Sequence, residues 1–472
     1  MQSDSEATLH VFQAYDREQI CSVPEDTIDD LAHKLTVAHA VFQRREKWTS
    51  THQRAKVLYK LAELVQQHQQ ELTSLIAREG GKPWADALGE AIRAVDGIRS
   101  AAEELRSFAG REIPMGLTVA CENRWAFTTR EPIGPVAAIS AFNHPLNLIV
   151  HQVVPAIAVG CPVIVKPAAT TPLSCLRLIE LAHQAGVPPE WVQTLITSDN
   201  ELAQKLATDP RIAYLSFIGS AKVGWDLKSK LPPGTRCTLE HGGAAPAIID
   251  SSADLDQIIE PLAKGAYYHA GQVCVSTQRI FVHDRIFDEF LERFGTRVAT
   301  LRVGDPLVKE TEVGPLILPR EVDRVEQWVN GAIASGARVV VGGKRLGNTT
   351  YAPTVVVEPS EDSYLTSREI FGPVSCIYRY SNVNDALARA NSLPFAFQAS
   401  VFAQDIDVAM HVAQRIEASA VLVNDHTAFR VDWMPFAGRR QSGYGVGGIK
   451  ESMLDMTEEK MIVLRRRDLK IA

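Results

Sequence analysis

Three side chains of types suited to work on a carbonyl carbon stand far apart in this 472-residue chain. Cys274, in HAGQVCVSTQR, follows a helical pattern from Leu255 to His269 that stops at Gly271. Gln272 is too polar for a core strand, so the chain breaks there before resuming as VSTQRIFVH. Asn143, in ISAFNHPLN, stands where an apolar strand runs out, and Glu240, in TLEHGGAAP, closes another strand just before two glycines. A thiolate is a nucleophile, and the oxyanion its attack creates needs a donor already in place. A carboxylate can then activate water against the acyl group left on sulfur. Each residue also has a plainer reading: Cys274 as a small buried hydrophobe, Asn143 as a turn former, Glu240 as a charge at a sheet edge. Cys161, Cys175 and Cys376 lie in apolar runs and fit the packing role.

The elements that must position them follow from periodicity. Residues 25–110 are helical by pattern, with Ile28, Leu31 and Leu35, then Val57, Leu61, Leu64 and Val65, at helical spacing. Asp26 and Thr27 after Pro24 are candidate caps. Residues 111–130 turn β-like. PVAAIS, PVIVK, IAYLSFIG, TLE and APAIID then read as strands, with helices such as SCLRLIELAHQAG between the earlier ones. After residue 254 the alternation resumes, with strands ARVVVGG, TVVVEP and VSCIYRY and helices NDALARANS and DVAMHVAQRIE. Strands joined by crossover helices predict parallel, doubly wound sheets, here in two α/β domains that meet near residues 240–270. The last segment, EKMIVLRRRDLK, reads as a strand that leaves the body to pair with a partner subunit.

Bulk properties narrow the function classes. An apolar fraction of 46% and a charged fraction of 22% are those of a globular protein, and the length predicts two or three domains. A net charge of -7 with both signs interleaved argues against nucleic-acid binding. Seven cysteines without a CxxC pair predict neither disulfides nor zinc, and fit a reducing cytosol. Thirteen histidines without HExxH spacing predict no metal site. The polar, acidic start MQSDSEATLHVFQAYDREQ is unlike a signal or transit peptide. The apolar window 148–165, broken by His151, Gln152, Pro155 and Pro162, reads as a buried helix and a core strand rather than a membrane span.

In chain order, Asn143 in AFNHP, Lys166 in VIVKPA, Gly219, Ser220 and Gly224 in FIGSAKVG, Glu240 in LEHGG, Cys274 in GQVC, and Glu369 and Phe371 in EIFGPV form a set. Together these motifs resemble the NAD(P)-dependent aldehyde dehydrogenase superfamily over nearly the whole chain. AFNHPLN with FRVDWMPFAG (429–438) resembles its branch of lactaldehyde, glyceraldehyde-3-phosphate and phosphonoacetaldehyde dehydrogenases.

The resemblance implies an α/β fold of two doubly wound parallel-sheet domains with a small β oligomerisation extension. Residues 1–110 and 131–241 would bind the dinucleotide, 242–444 would carry the thiol, and 111–130 with 445–472 would form the extension of a homodimer or homotetramer. It implies Cys274 as nucleophile, Asn143 with the Cys274 N–H as oxyanion donors, and Glu240 as the base that hydrolyses a thioester to the free acid. Lys166 would bind the adenosine ribose of NAD or NADP, Gly219 and Ser220 would face the pyrophosphate, and Glu369 and Phe371 would hold the nicotinamide ribose. Glu369 alone would read as a helix-end charge.

Many NAD-preferring members carry a glutamate three residues after the lysine. Here that place is Ala169, which leaves nothing to repel a 2′-phosphate. His144 and Arg430 near the substrate mouth could hold a phosphate, carboxylate or sulfonate, so a short polar or anionic aldehyde is expected. Arg430 could equally pair with Asp432 or a subunit neighbour. The rival readings are a thiol acyl-transferase or hydrolase without nicotinamide, and a non-catalytic relative that only binds cofactor.

Overall fold

Short apolar runs rich in valine, isoleucine and alanine, separated by amphipathic stretches, fold into sheets crossed by helices. The computed structural model describes residues 7–466. The expected N-terminal helices form as α1 (Ile28–Gln43), α2 (Thr51–Gln67), α3 (Gln69–Gly80) and α4 (Trp84–Glu104). Thr27 caps α1: its side chain accepts from the Asp30 N–H while the Asp30 carboxylate accepts from the Thr27 N–H. Ahead of them lies an antiparallel hairpin, β1 (Thr8–Phe12) and β2 (Gln19–Pro24); β1 falls in the stretch expected only as a polar start, and β2 begins at the last residue of that stretch.

The first large sheet runs in the order β19-β9-β8-β5-β6-β7. Its parallel members are β5 (Val136–Ile139), β6 (Val163–Lys166), β7 (Val192–Thr194), β8 (Tyr214–Ile218) and β9 (Arg236–Glu240). The crossovers are α5 (Asn147–Val159), α6 (Leu173–Ala185), α7 (Asn200–Ala207) and α8 (Ala221–Ser229). The apolar window is divided as expected, buried α5 ending at left-handed Gly160 and β6 following. Among the described residues no helix is long and apolar enough to cross a membrane.

The second sheet runs β12-β13-β14-β11-β10-β16-β17. Its parallel strands are β10 (Ala245–Ile249), β11 (Thr277–His283), β13 (Thr354–Val357), β14 (Val374–Tyr380), β16 (Gln398–Phe402) and β17 (Ala420–Val423). Its helices are α9 (Leu255–Tyr267), α10 (Phe287–Ala299), α11 (Pro319–Ala334), α12 (Tyr364–Ser367), α13 (Val383–Ala390) and α14 (Ile406–Arg415). Ile248, Phe281, Phe290 and Ile377 sit in its core.

Three details depart from expectation. Each large sheet has an antiparallel edge strand: β12 (Arg338–Val341) on β13, and β19 (Gly443–Tyr444) on β9. Residues 449–456 belong with the first body rather than with an extension, because α15 (Ile449–Asp455) packs on α5 and buries Ile449 and Met453, with Met456 just beyond it. β20 (Thr457–Arg465) does not leave its own chain. It pairs along nine positions with β4 (Arg124–Pro132), itself paired to β3 (Glu112–Ile113), in a separate three-stranded sheet. Residues 467–470 of that terminal segment lie outside the described residues. A short ladder, β15 (Phe395–Ala396) with β18 (Arg439–Arg440), lies beside the site described next.

Candidate active site

Parallel strands deliver their carboxyl ends to one edge of a sheet, which is where loops can converge on a ligand. Asn143 follows the end of β5, and Glu240 is the last residue of β9. Cys274 lies in the loop between α9 and β11. The three meet: the Cys274 thiol donates to Glu240 Oε1 at 3.4 Å, and Asn143 Nδ2 donates to the Gln272 carbonyl at 3.0 Å.

The thiol loop is an unusual piece of backbone. His269 (φ 48), Ala270 (φ 55) and Gly271 (φ 71) are consecutive left-handed residues. For the two that are not glycine this costs about 1–3 kcal/mol each and persists only where surroundings over-determine it. Gly271 must be glycine for a second reason, since a Cβ there would stand 2.1 Å from the Gly372 carbonyl. The thiol loop thus rests directly on the loop carrying Glu369 and Phe371.

Gln272, dismissed on sequence as a break, is 1% exposed and locks this loop. Its amide donates to the carbonyls of His269 (3.2 Å) and Pro315 (3.1 Å) and accepts from the Ile317 N–H (2.9 Å). The signal available in sequence was an uncharged hydrogen-bonding side chain between Gly271 and Val273, which loops and cores share.

Burial disfavours the charged form of the carboxyls and of the thiol alike, and so raises the pKa of each. It pushes the Cys274 thiol well above its usual range, and the neighbouring Glu240 and Glu369 push it further. Burial also raises Glu240, and takes Glu369 to about 8. In this resting geometry the thiol keeps its proton and shares it with Glu240.

On one side of the thiol lies a groove of about 590 Å³ whose wall includes Lys166, Gly219, Ser220, Glu369 and Phe371. Lys166 is buried and donates to the Pro167 carbonyl at 3.2 Å, which leaves two of its three N–H donors for a ligand. Glu369 Oε1 accepts from the Gly243 N–H at 3.2 Å. Ser220 occupies the N-cap of α8 without a side-chain cap bond, so the first-turn N–H groups are open to an anion. A buried amine, an open helix N-terminus and a buried carboxylate along one groove fit a dinucleotide. Two expected residues stand differently. Gly224 is not in the groove wall; a Cβ there would lie 2.0 Å from the His241 ring, so glycine serves the packing of α8 on β9. Ala169 is half-buried one residue beyond Ala168, which does line the groove.

On the other side is a cavity of about 160 Å³, lined in part by Arg93, His144, Tyr268, Arg430 and Phe436. His144 Nε2 is 3.2 Å from the Tyr268 hydroxyl, and burial holds its ring well below the usual histidine range, hence neutral. Arg430 lies 3.6 Å over the Phe436 ring. The alternative of an Arg430–Asp432 pair is not what forms, because Arg93, Asn147 and His151 take the Asp432 carboxylate.

Comparison with known proteins places this geometry in a family. A profile described as "Aldehyde dehydrogenase family" matches residues 1–462. The chain is similar to 3-sulfolactaldehyde dehydrogenase of Priestia aryabhattai, at 35% identity over 97% of this chain and 94% of that one. Among solved structures, aldehyde dehydrogenase 21 from Physcomitrella patens in complex with succinate superimposes with a TM-score of 0.95 at 34% identity, covering 98% and 96% of the two chains. Glyceraldehyde-3-phosphate dehydrogenase from Methanocaldococcus jannaschii complexed with NADP gives 0.93 at 31% identity, covering 98% of this chain and 100% of that one. The chain belongs to the aldehyde dehydrogenase family.

Proposed function

We propose that the protein oxidises a short, anionic aldehyde to its carboxylic acid with NAD or NADP, through a thioester on Cys274. One observation carries this reading: thiol, carboxylate and amide converge where a small-molecule cavity and a dinucleotide-sized groove meet. Cys274 adds to the aldehyde carbon as its proton passes to Glu240. Asn143 Nδ2 has two N–H donors; the bond to Gln272 fixes the amide and leaves the second for the carbonyl oxygen, beside the Cys274 N–H. Bound NAD(P), held by Lys166, Ser220 and Glu369, supplies the hydride acceptor. Glu240 releases that proton to solvent, then takes one from the water that attacks the thioester carbon and passes it to the departing sulfur, releasing the acid and restoring the thiol. Presence of this glutamate supports a free acid as product rather than transfer of the acyl group to coenzyme A. His144, neutral and bonded to Tyr268, shapes the mouth while Arg430 attracts the anion.

The test is growth of absorbance at 340 nm with a panel of uncharged, carboxylated, sulfonated and phosphorylated short aldehydes and either cofactor. No aldehyde-dependent signal across the panel would leave the thiol-hydrolase reading standing instead. Asn143→Ala should lower kcat/KM about 10²–10³-fold, the usual loss for one oxyanion donor. With Ala169 in place of a carboxylate, NADP should be accepted, and kcat/KM should favour NAD by no more than about a hundredfold. We further propose that residues 111–130 and β20 carry the contacts of a cytoplasmic homodimer or homotetramer. Support comes from the exposed Leu117, Val119, Trp125, Met461 and Leu464 on and beside that sheet.

A further inference from the structure

Three cationic side chains line the substrate cavity, namely Arg93, Lys264 and Arg430, and two of them are already neutralised. Arg93 is bidentate to Asp432, Nε to Oδ2 at 3.1 Å and Nη2 to Oδ1 at 2.9 Å. Asp432 is 1% exposed; against that burial, the bond from His151 and the charge of Arg93 keep it ionised. Lys264 is paired with Asp86 and lies 5.0 Å over the Tyr268 ring. Arg430 differs. Its Nη1 is buried with no hydrogen-bond partner among the described residues, and its guanidinium lies over the Phe436 ring. Glu240, the carboxylate lining this cavity, is bonded to Cys274 instead. His144, His151 and His426 add no charge near neutral pH, since burial holds each ring below its usual range.

We infer that the cavity is charged for a single negative group: its substrate is a monoanionic aldehyde, a carboxylate or sulfonate, and Asp432 is the positioning residue that sets this limit by occupying Arg93. This rests on the anionic-aldehyde reading above. A guanidinium with a nitrogen buried and unpartnered is costly until an anion meets it. One negative charge satisfies Arg430, whereas a second finds Arg93 already matched and the Asp432 carboxylate behind it. Phosphorylated aldehydes are thereby disfavoured by charge rather than by size.

Sulfoacetaldehyde and phosphonoacetaldehyde test this, because their tetrahedral groups are nearly the same shape and at pH 8.5 differ by one charge. The wild-type enzyme should favour the sulfonate at least about tenfold in kcat/KM, with the difference in KM. Asp432→Asn keeps the side chain's shape and frees Arg93, and should shrink that preference to below about threefold by lowering KM for the phosphonate. The double change Arg93→Gln with Asp432→Asn removes both charges and should return the preference to the wild-type side, whatever the absolute rate. A merely structural Asp432 would lower activity on both probes alike and leave their ratio unmoved. Near-equal use of the two probes by the wild-type enzyme, or an unchanged ratio in a folded Asp432→Asn variant, overturns the charge limit. If Asp432→Asn does not fold, Arg430→Gln decides: it must erase the KM advantage of sulfoacetaldehyde over uncharged lactaldehyde, and an intact advantage overturns the inference. Preference of the wild-type enzyme for lactaldehyde over both anions would instead overturn the anionic-aldehyde reading itself.

Discussion

Cys274→Ala is expected to lower kcat by about 10⁴-fold or more, while a dinucleotide still binds the groove beside it. Among the described residues that line both cavities, Cys274 is the one whose side chain is a ready nucleophile for a carbonyl carbon. Without it Asn143 and Glu240 have no intermediate to act upon. Steady-state NAD(P)H formation with the best aldehyde measures the loss, and retention of more than about a tenth of the rate would remove Cys274 from the mechanism. Alkylation gives a second reading. Because burial, and then Glu240 and Glu369, push the thiol above its usual range, iodoacetamide should label Cys274 slowly at pH 7. The rate should climb about tenfold per pH unit well past pH 9, as thiolate accumulates. A plateau below pH 8 would contradict the resting thiol–carboxylate bond.

Glu240→Gln should separate the two halves of the reaction. The amide cannot take a proton from water, so at a pH where the thiol ionises directly to solvent one equivalent of NAD(P)H should form in a burst, followed by turnover slowed about 10²–10⁴-fold. Mass spectrometry should then find the acyl group on Cys274. The same substitution removes the carboxylate facing the thiol, so alkylation at pH 8 should become faster than in the unaltered enzyme. Absence of a burst together with undiminished steady turnover would assign the base to another group.

The architecture was legible wherever a strand or helix buries a continuous apolar face. PVAAIS, PVIVK and VSCIYRY are buried along nearly their whole length, and periodicity reads such runs directly. The β1–β2 hairpin escaped because it is short and little buried: TLHVF alternates only over Thr8 to Val11, and QICSVP buries no residue fully and does not alternate strictly. The α15 segment was assigned to the wrong body because Ile449 and Met453 show that a face is buried but not against what; only the fold brings α5 to them.

For the site, order and type were legible, while roles that depend on a neighbour were not. Gln272 looks like any polar loop residue until Pro315 and Ile317, more than 40 positions on, are seen to complete its bonds. Arg430 and Asp432 are two apart and opposite in charge, which suggests a pair. Arg93, over 300 positions away, takes the aspartate instead and leaves the arginine facing the cavity.

The two cavities touch only through a narrow partition. Asn143, Phe217, Ile218, Glu240 and Cys274 are the residues common to both walls. Otherwise the residues that line the proposed aldehyde cavity and those that line the proposed dinucleotide groove are different. On the proposed roles the catalyst is modular: substitutions at residues 93, 430 and 432 are expected to change its preference among aldehydes while leaving its preference between NAD and NADP unmoved. Descent with change can explore the two specificities as independent traits, and a protein engineer can do the same, provided the five shared side chains stay put.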